Sequence, residues 1–161
     1  MSKDTVQEIV DELGFGVIPN IFAHAQSTDI QTALWKAFRH VVLRGVLPRT
    51  VKEMMGVIIS QSRGSRYAAE IHLHALMVQG LEASLLDSLR RGEILPTLPT
   101  RVQTLLRFAQ AATVSPDTHL LEQLRESGLS DIEVQEAVAV VGVFAFINTW
   151  TDLLNIPVDK V

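Results

Sequence analysis

The sequence predicts an all-α, multi-helix bundle formed by a single domain over residues 1–161. Apolar residues recur at three- and four-residue spacing along most of the chain, while no stretch alternates apolar with polar residues as a half-buried strand does. Glycine, proline and capping residues cut these stretches into helix-like lengths. A chain of 161 residues that is 47% hydrophobic buries roughly 70% of its unfolded surface and needs no disulfide or metal to hold a core.

Taken in order, Asp4 is placed to cap a helix over Thr5 to Leu13, and Gly14 lies just past its end. Thr28-Asp29-Ile30-Gln31 has capping-box spacing, and Ala33, Trp35, Phe38, Val41 and Val42 continue as a wide apolar stripe to the break at Arg44-Gly45. After Leu47-Pro48, residues Val51, Met54, Met55, Ile58 and Ile59 predict a helix ending near Arg63-Gly64. The next helix runs from Ser65 to Gln79 and stops at Gly80, and a shorter one covers Leu81 to Arg91. Two prolines make Ile94 to Pro99 an extended linker. Thr100-Arg101-Val102-Gln103 repeats the capping-box spacing ahead of Leu105, Leu106, Phe108 and Ala109. Ser115-Pro116 restarts a helix over about Asp117 to Arg125, and Ser130-Asp131-Ile132-Glu133 opens the last helix, which ends before Pro157. The sum is seven or eight helices.

Composition excludes several functions. The absence of cysteine rules out disulfides, thiolate nucleophiles, iron–sulfur clusters and cysteine zinc sites. A net charge of −4, with four Lys and ten Arg scattered along the chain, provides no basic stripe for nucleic acid. Met1 to Asp4 lacks the basic start and apolar core of a signal peptide, and the longest apolar run, Ala137 to Ile147, falls short of the ~20 residues that cross a bilayer. The expectation is a cytoplasmic protein with no membrane span, in which that run is a helix buried on all sides, in a core or between subunits.

Chemistry concentrates in the helix pair Pro48 to Gly64 and Ser65 to Gly80. In an antiparallel hairpin hinged near Arg63-Gly64, Glu53 and His72 fall at similar heights on the two arms. A carboxylate that orients an imidazole is the minimum kit for proton transfer near neutral pH. Ser65, Ala68 and His72 share one face of the second arm, whereas His74 lies about 200° around it from His72, beside Glu70 as a salt partner. His-x-His on a regular helix cannot chelate one metal ion, so neither a metal nor another cofactor is expected. Arg63 and Arg66, near the hinge, are candidates to hold a substrate carboxylate bidentately, or else are solvated. Each residue also has a structural role open to it. Thr50-Val51-Lys52-Glu53 is itself a capping-box pattern, Ser65 suits a helix N-cap, His72 and Tyr67 suit the core, and Trp35, Trp150 and the phenylalanines suit packing.

These residues resemble the signature of the alkylhydroperoxidase D-like and carboxymuconolactone decarboxylase superfamily, in its peroxidase-related branch. Glu53 matches the family glutamate, Ser65 and Ala68 fall on the two positions of its Cys-x-x-Cys, and Tyr67 matches the tyrosine between them. His72 matches its histidine and Gly80 its glycine. Gly16-Val17-Ile18-Pro19-Asn20-Ile21-Phe22 is similar to the family's amino-terminal motif. The segment Asn148 to Pro157 is similar to its carboxy-terminal one, with Thr149 where arginine is common, so the likeness spans about residues 14–159. It implies the family's helical fold and assembly as a homotrimer or homohexamer. Thiol peroxidation is not implied, because serine is too poor a nucleophile towards peroxide oxygen and alanine has no reactive group. The decarboxylase branch keeps a glutamate and a histidine without the cysteines. That likeness implies acid/base chemistry on a small organic acid through Glu53 and His72, with Ser65 and Tyr67 as lesser catalytic candidates. The alternative is a non-catalytic oligomeric binding or scaffold protein of the same fold.

Overall fold

The computed structural model describes residues 3–160, with side chains from residue 5. Among them there are nine α-helices, one π-helical segment and no strand. The helices are α1 (Lys3–Leu13), α2 (Asn20–Ala23), α3 (Thr28–Phe38), α4 (Arg49–Arg63), α5 (Arg66–Val78), α6 (Ala83–Arg90), α7 (Thr100–Val114), α8 (His119–Glu126) and α9 (Asp131–Leu153). The π segment, Arg39–Leu43, runs on directly from α3.

The all-α expectation holds, with local corrections. α1 begins at Lys3, so Asp4 sits within its first turn, and its side chain lies outside the described residues. Ser27 caps α3, one residue before the expected Thr28, by accepting a hydrogen bond from the Ile30 amide. Gln31, read as the other half of that capping box, is buried and donates to the Phe22 carbonyl. Thr100 makes no cap either, because Gln103 turns back to the carbonyls of Pro96 and Leu98 and ties down the linker. The eighth helix starts at His119, and the Asp117 carboxylate accepts from the His119 amide. The box at the start of α9 forms as expected, with Ser130 and Glu133 each taking up the other's backbone N–H. Two elements escaped the sequence reading: the single turn α2 after Pro19, and the π segment, which read as a continuing helix.

α4 is the axis of the bundle and packs against α5, α6, α7 and α9. Every residue from Val51 to Ser60 is buried, polar ones included, so the middle of the helix is enclosed on all sides although its sequence is amphipathic. Its approach to α9 depends on Gly56, where a Cβ would overlap the Phe144 ring. The same helices are pinned by the Ser60 hydroxyl on Asn148 Oδ1 at 3.0 Å.

The run Ala137 to Ile147 is only partly covered within the single chain. Val140, Phe144 and Ile147 of α9 enter the core, but Val138 and Phe146 on its far side are 44% and 39% exposed. By length and composition alone α9 would span a bilayer, yet one face of it is core. The outward stripe of Val138, Gly142, Phe146 and Leu153 is uncovered in the single chain.

Candidate active site

Glu53 sits in the enclosed stretch of α4 and His72 faces it from α5, as the hairpin arithmetic requires. Gly64, in the left-handed conformation at φ 68°, ends α4 and lets the chain reverse into α5. Both side chains are buried, and His72 Nδ1 lies 4.0 Å from Glu53 Oε2. At that distance no hydrogen bond forms, and Nδ1 is a buried polar atom without a partner. The imidazole is wedged between Phe38 and Phe144, with ring centroids 5.7 and 4.8 Å away.

The carboxylate is held by other groups. Arg49 Nε donates to Oε1 at 2.6 Å and Gln79 Nε2 donates to Oε2 at 3.0 Å. Gln79 is itself steadied by Thr50, whose hydroxyl donates to its carbonyl oxygen at 2.9 Å. Burial pushes the Glu53 carboxyl up, but His72 and Arg49 beside it more than offset this and hold it below the usual glutamate range. It is therefore an anion at neutral pH. The capping role open to Glu53 is not realised, because the helix starts at Arg49 and the side chain turns to α5.

Between these groups lies a cavity of about 40 Å³, walled mainly by apolar side chains that include Leu34, Phe38, Ala68 and Ile147. Arg49, Glu53, Tyr67 and His72 bring polar atoms to it. At roughly 10–15 Å³ for each water centre, such a space takes about three waters or a small polar group.

The remaining candidates separate. Tyr67 reaches the cavity wall, but its hydroxyl donates to Asp159 Oδ2 at 2.5 Å and accepts from the Ile21 amide at 3.1 Å. Burial, then the hydrogen bond to Asp159, pushes that phenol well above its ordinary value, so it stays protonated and already committed. Ser65 occupies the N-cap position of α5 without capping it; its hydroxyl donates to Asp152, and it does not line the cavity. Arg63 is exposed and reaches Thr149 at 3.5 Å, while Arg66 borders a surface groove near Asp152. Neither meets Glu53, and the arginine that does is Arg49. His74 packs its ring against Phe15, with centroids 6.5 Å apart, and no ion pair joins it to Glu70. No group of three or more metal-ligating side chains occurs among the described residues.

No family model matches the sequence, and no curated protein matches it. Solved structures do. A protein described as an alkylhydroperoxidase AhpD core, an uncharacterized peroxidase-related protein from Ralstonia eutropha JMP134, superposes with a TM-score of 0.84 at 21% identity. The alignment covers 98% of this chain and 85% of that one. An uncharacterized peroxidase-related protein from Silicibacter sp. TM1040 gives a TM-score of 0.88 at 20% identity, over 99% and 85% of the two chains. The debrominase Bmp8, in a cysteine-to-alanine variant with 2,3,4-tribromopyrrole, gives 0.82 at 17% identity, over 98% and 85%.

Proposed function

The chain has the alkylhydroperoxidase D-like fold, and on that premise we propose that it is an acid/base enzyme acting on a small organic acid through Glu53 and His72. One observation carries this reading: an imidazole nitrogen that is buried, unpartnered and 4.0 Å from a carboxylate, at the wall of a cavity. Structural buried histidines are normally satisfied. A catalytic hydrogen bond is often long in the empty site and tightens around substrate.

In this mechanism His72 exchanges a proton with carbon next to a substrate carbonyl. Glu53 stays ionised, orients the ring and stabilises the imidazolium, a role suited to a carboxylate whose proton affinity is low. Arg49 takes the part first given to Arg63 and Arg66: its remaining N–H donors face a substrate carboxylate while Nε holds Glu53. Decarboxylation and isomerisation both fit. The tribromopyrrole complex of the debrominase supports a fold able to hold small organic molecules.

The test is deuterium incorporation, followed by NMR, from heavy water into a panel of small carboxylic and keto acids. Incorporation into at least one acid is expected, and loss of it in His72→Ala with the helical content unchanged. Undiminished exchange in that variant removes His72 from the mechanism.

A second reading, an oligomeric binding or scaffold protein, is favoured by the Glu53 oxygens already held by Arg49 and Gln79 and by the His72 ring clamped between two phenylalanines. It expects no exchange in any acid. It also expects unchanged assembly of the double variant Glu53→Gln/His72→Ala by light scattering. Under either reading, copies of the chain associate through the uncovered apolar stripe of α9.

A further inference from the structure

The inner cavity is too small for most organic acids. Beside it lies an outer groove of about 630 Å³, more than ten times larger on the same measure, formed where the loop before α2 meets the carboxy-terminal segment. The two spaces share three wall residues, Phe15, Pro19 and Ile71. Of these, Phe15 has the longest reach and the least constrained backbone.

Phe15 stands between Gly14 and Gly16, at φ 73° and 71°, in the left-handed region that side chains disfavour. A Cβ on either glycine would meet nothing within 4 Å, so crowding does not require glycine there; the backbone turn does. That turn puts the half-buried Phe15 ring at the boundary between the two spaces, where the His74 ring braces it from α5. His74 has no other role in the mechanism above.

We propose that Phe15 is the specificity-determining residue of the site: the outer groove holds the body of the substrate, and Phe15 admits only its small terminal group to His72. The substrate class that follows is a molecule with a compact polar end and an amphipathic body, its apolar side matching Val17, Ile18, Ile71 and Val158 of the groove and its polar side Asn20, Asp159 and Lys160. This inference rests on the acid/base reading for its chemistry. Its test does not.

Because the chain contains no cysteine, the thiol introduced by Ala68→Cys is unique, and Ala68 is 1% exposed on the inner wall. Methyl and benzyl methanethiolsulfonates transfer a small or a bulky thio group to a thiolate. The new S–S bond forms as the bond from that sulfur to the sulfonyl group breaks, and methanesulfinate leaves. Intact-mass kinetics reads the preference for methyl over benzyl. Val17→Cys, on the groove at a residue 66% exposed, supplies the ungated reference.

The preference at Ala68→Cys is expected to exceed that at Val17→Cys by about tenfold or more, the scale on which an apolar pocket discriminates by size. Adding Phe15→Ala to Ala68→Cys is expected to remove most of that excess, while adding Ile132→Ala, at an exposed position that lines neither space, leaves it. Phe15→Leu changes it in the same direction by less and serves where Phe15→Ala does not fold. An excess that is absent, that survives both Phe15 variants, or that Ile132→Ala also abolishes overturns the proposal. Deuterium exchange in His72→Ala is read separately, so failure of the threshold and failure of the acid/base reading are distinguishable.

Discussion

Lys52 and Glu53 are neighbours on α4, and both are fully buried, yet they sit in opposite kinds of surroundings. Lys52 turns to the loop before α4, where its ammonium donates to the Arg44 carbonyl and lies 3.5 Å from Glu136 Oε2. Glu136 in turn accepts from the amides of Val46 and Leu47 at 2.6 and 2.9 Å, and Gly45 leaves it the room to do so. That cluster is filled with backbone partners. Glu53 faces a histidine with an unused nitrogen and a cavity. A buried charge met by backbone groups fastens a loop to a bundle, whereas a buried pair left short of contact keeps donors and acceptors available for something that arrives later.

Substitutions sharpen the contrast. Lys52→Ala removes the cation from the fastened cluster and strands the Arg44 carbonyl, so it should cost about 3 kcal/mol in urea unfolding, the scale for breaking a buried pair. His72→Leu keeps the packing between Phe38 and Phe144 and removes an unsatisfied nitrogen together with the ring's pull on the Glu53 carboxyl, so the same measurement should move by about 1 kcal/mol, well short of Lys52→Ala. A cost as large as that of Lys52→Ala would make the Glu53/His72 pair structural and dissolve the distinction.

The smallest effect is in pH dependence. The Glu53 carboxyl is held below its unfolded value of about 4.3, so it adds stability that is complete above that pH and lost as pH falls through the lower folded value. Glu53→Gln should therefore flatten the acid side of the stability profile below about pH 4.3 and leave its alkaline side unchanged. A steeper acid side in the variant would reverse the assigned sign.

Much of this was legible in the sequence where the signal is local. The box of Ser130 and Glu133 is realised because both partners lie within one turn, and Glu53 and His72 meet because a hairpin fixes their heights. Lys52 was not legible: a lysine reads as a solvated face until the helices that enclose α4 are known. Arg49 and Gln79 read as helix-end residues, and only the packing of α5 on α4 turns both onto Glu53. Phe15 carried no spacing signal, since its place depends on the backbone turn at two glycines and on a ring from α5. For the converse reason an unbroken apolar run leaves open which of its residues enter the chain's own core, and the structure leaves Val138 and Phe146 outside it.

The tie at Asp159 separates the site into parts that form at different times. Its carboxylate accepts from the Asn20 amide, 139 positions earlier in the chain, and from Tyr67. The α4–α5 hairpin brings Glu53 and His72 together through short-range contacts, which cost little chain entropy. The wall built from Pro19, Asn20 and Asp159 must close a loop of nearly the whole chain. The polar pair is thus expected to form before the outer groove beside it, and in the native protein the groove wall is the first part expected to open in hydrogen exchange while the hairpin beneath it stays protected.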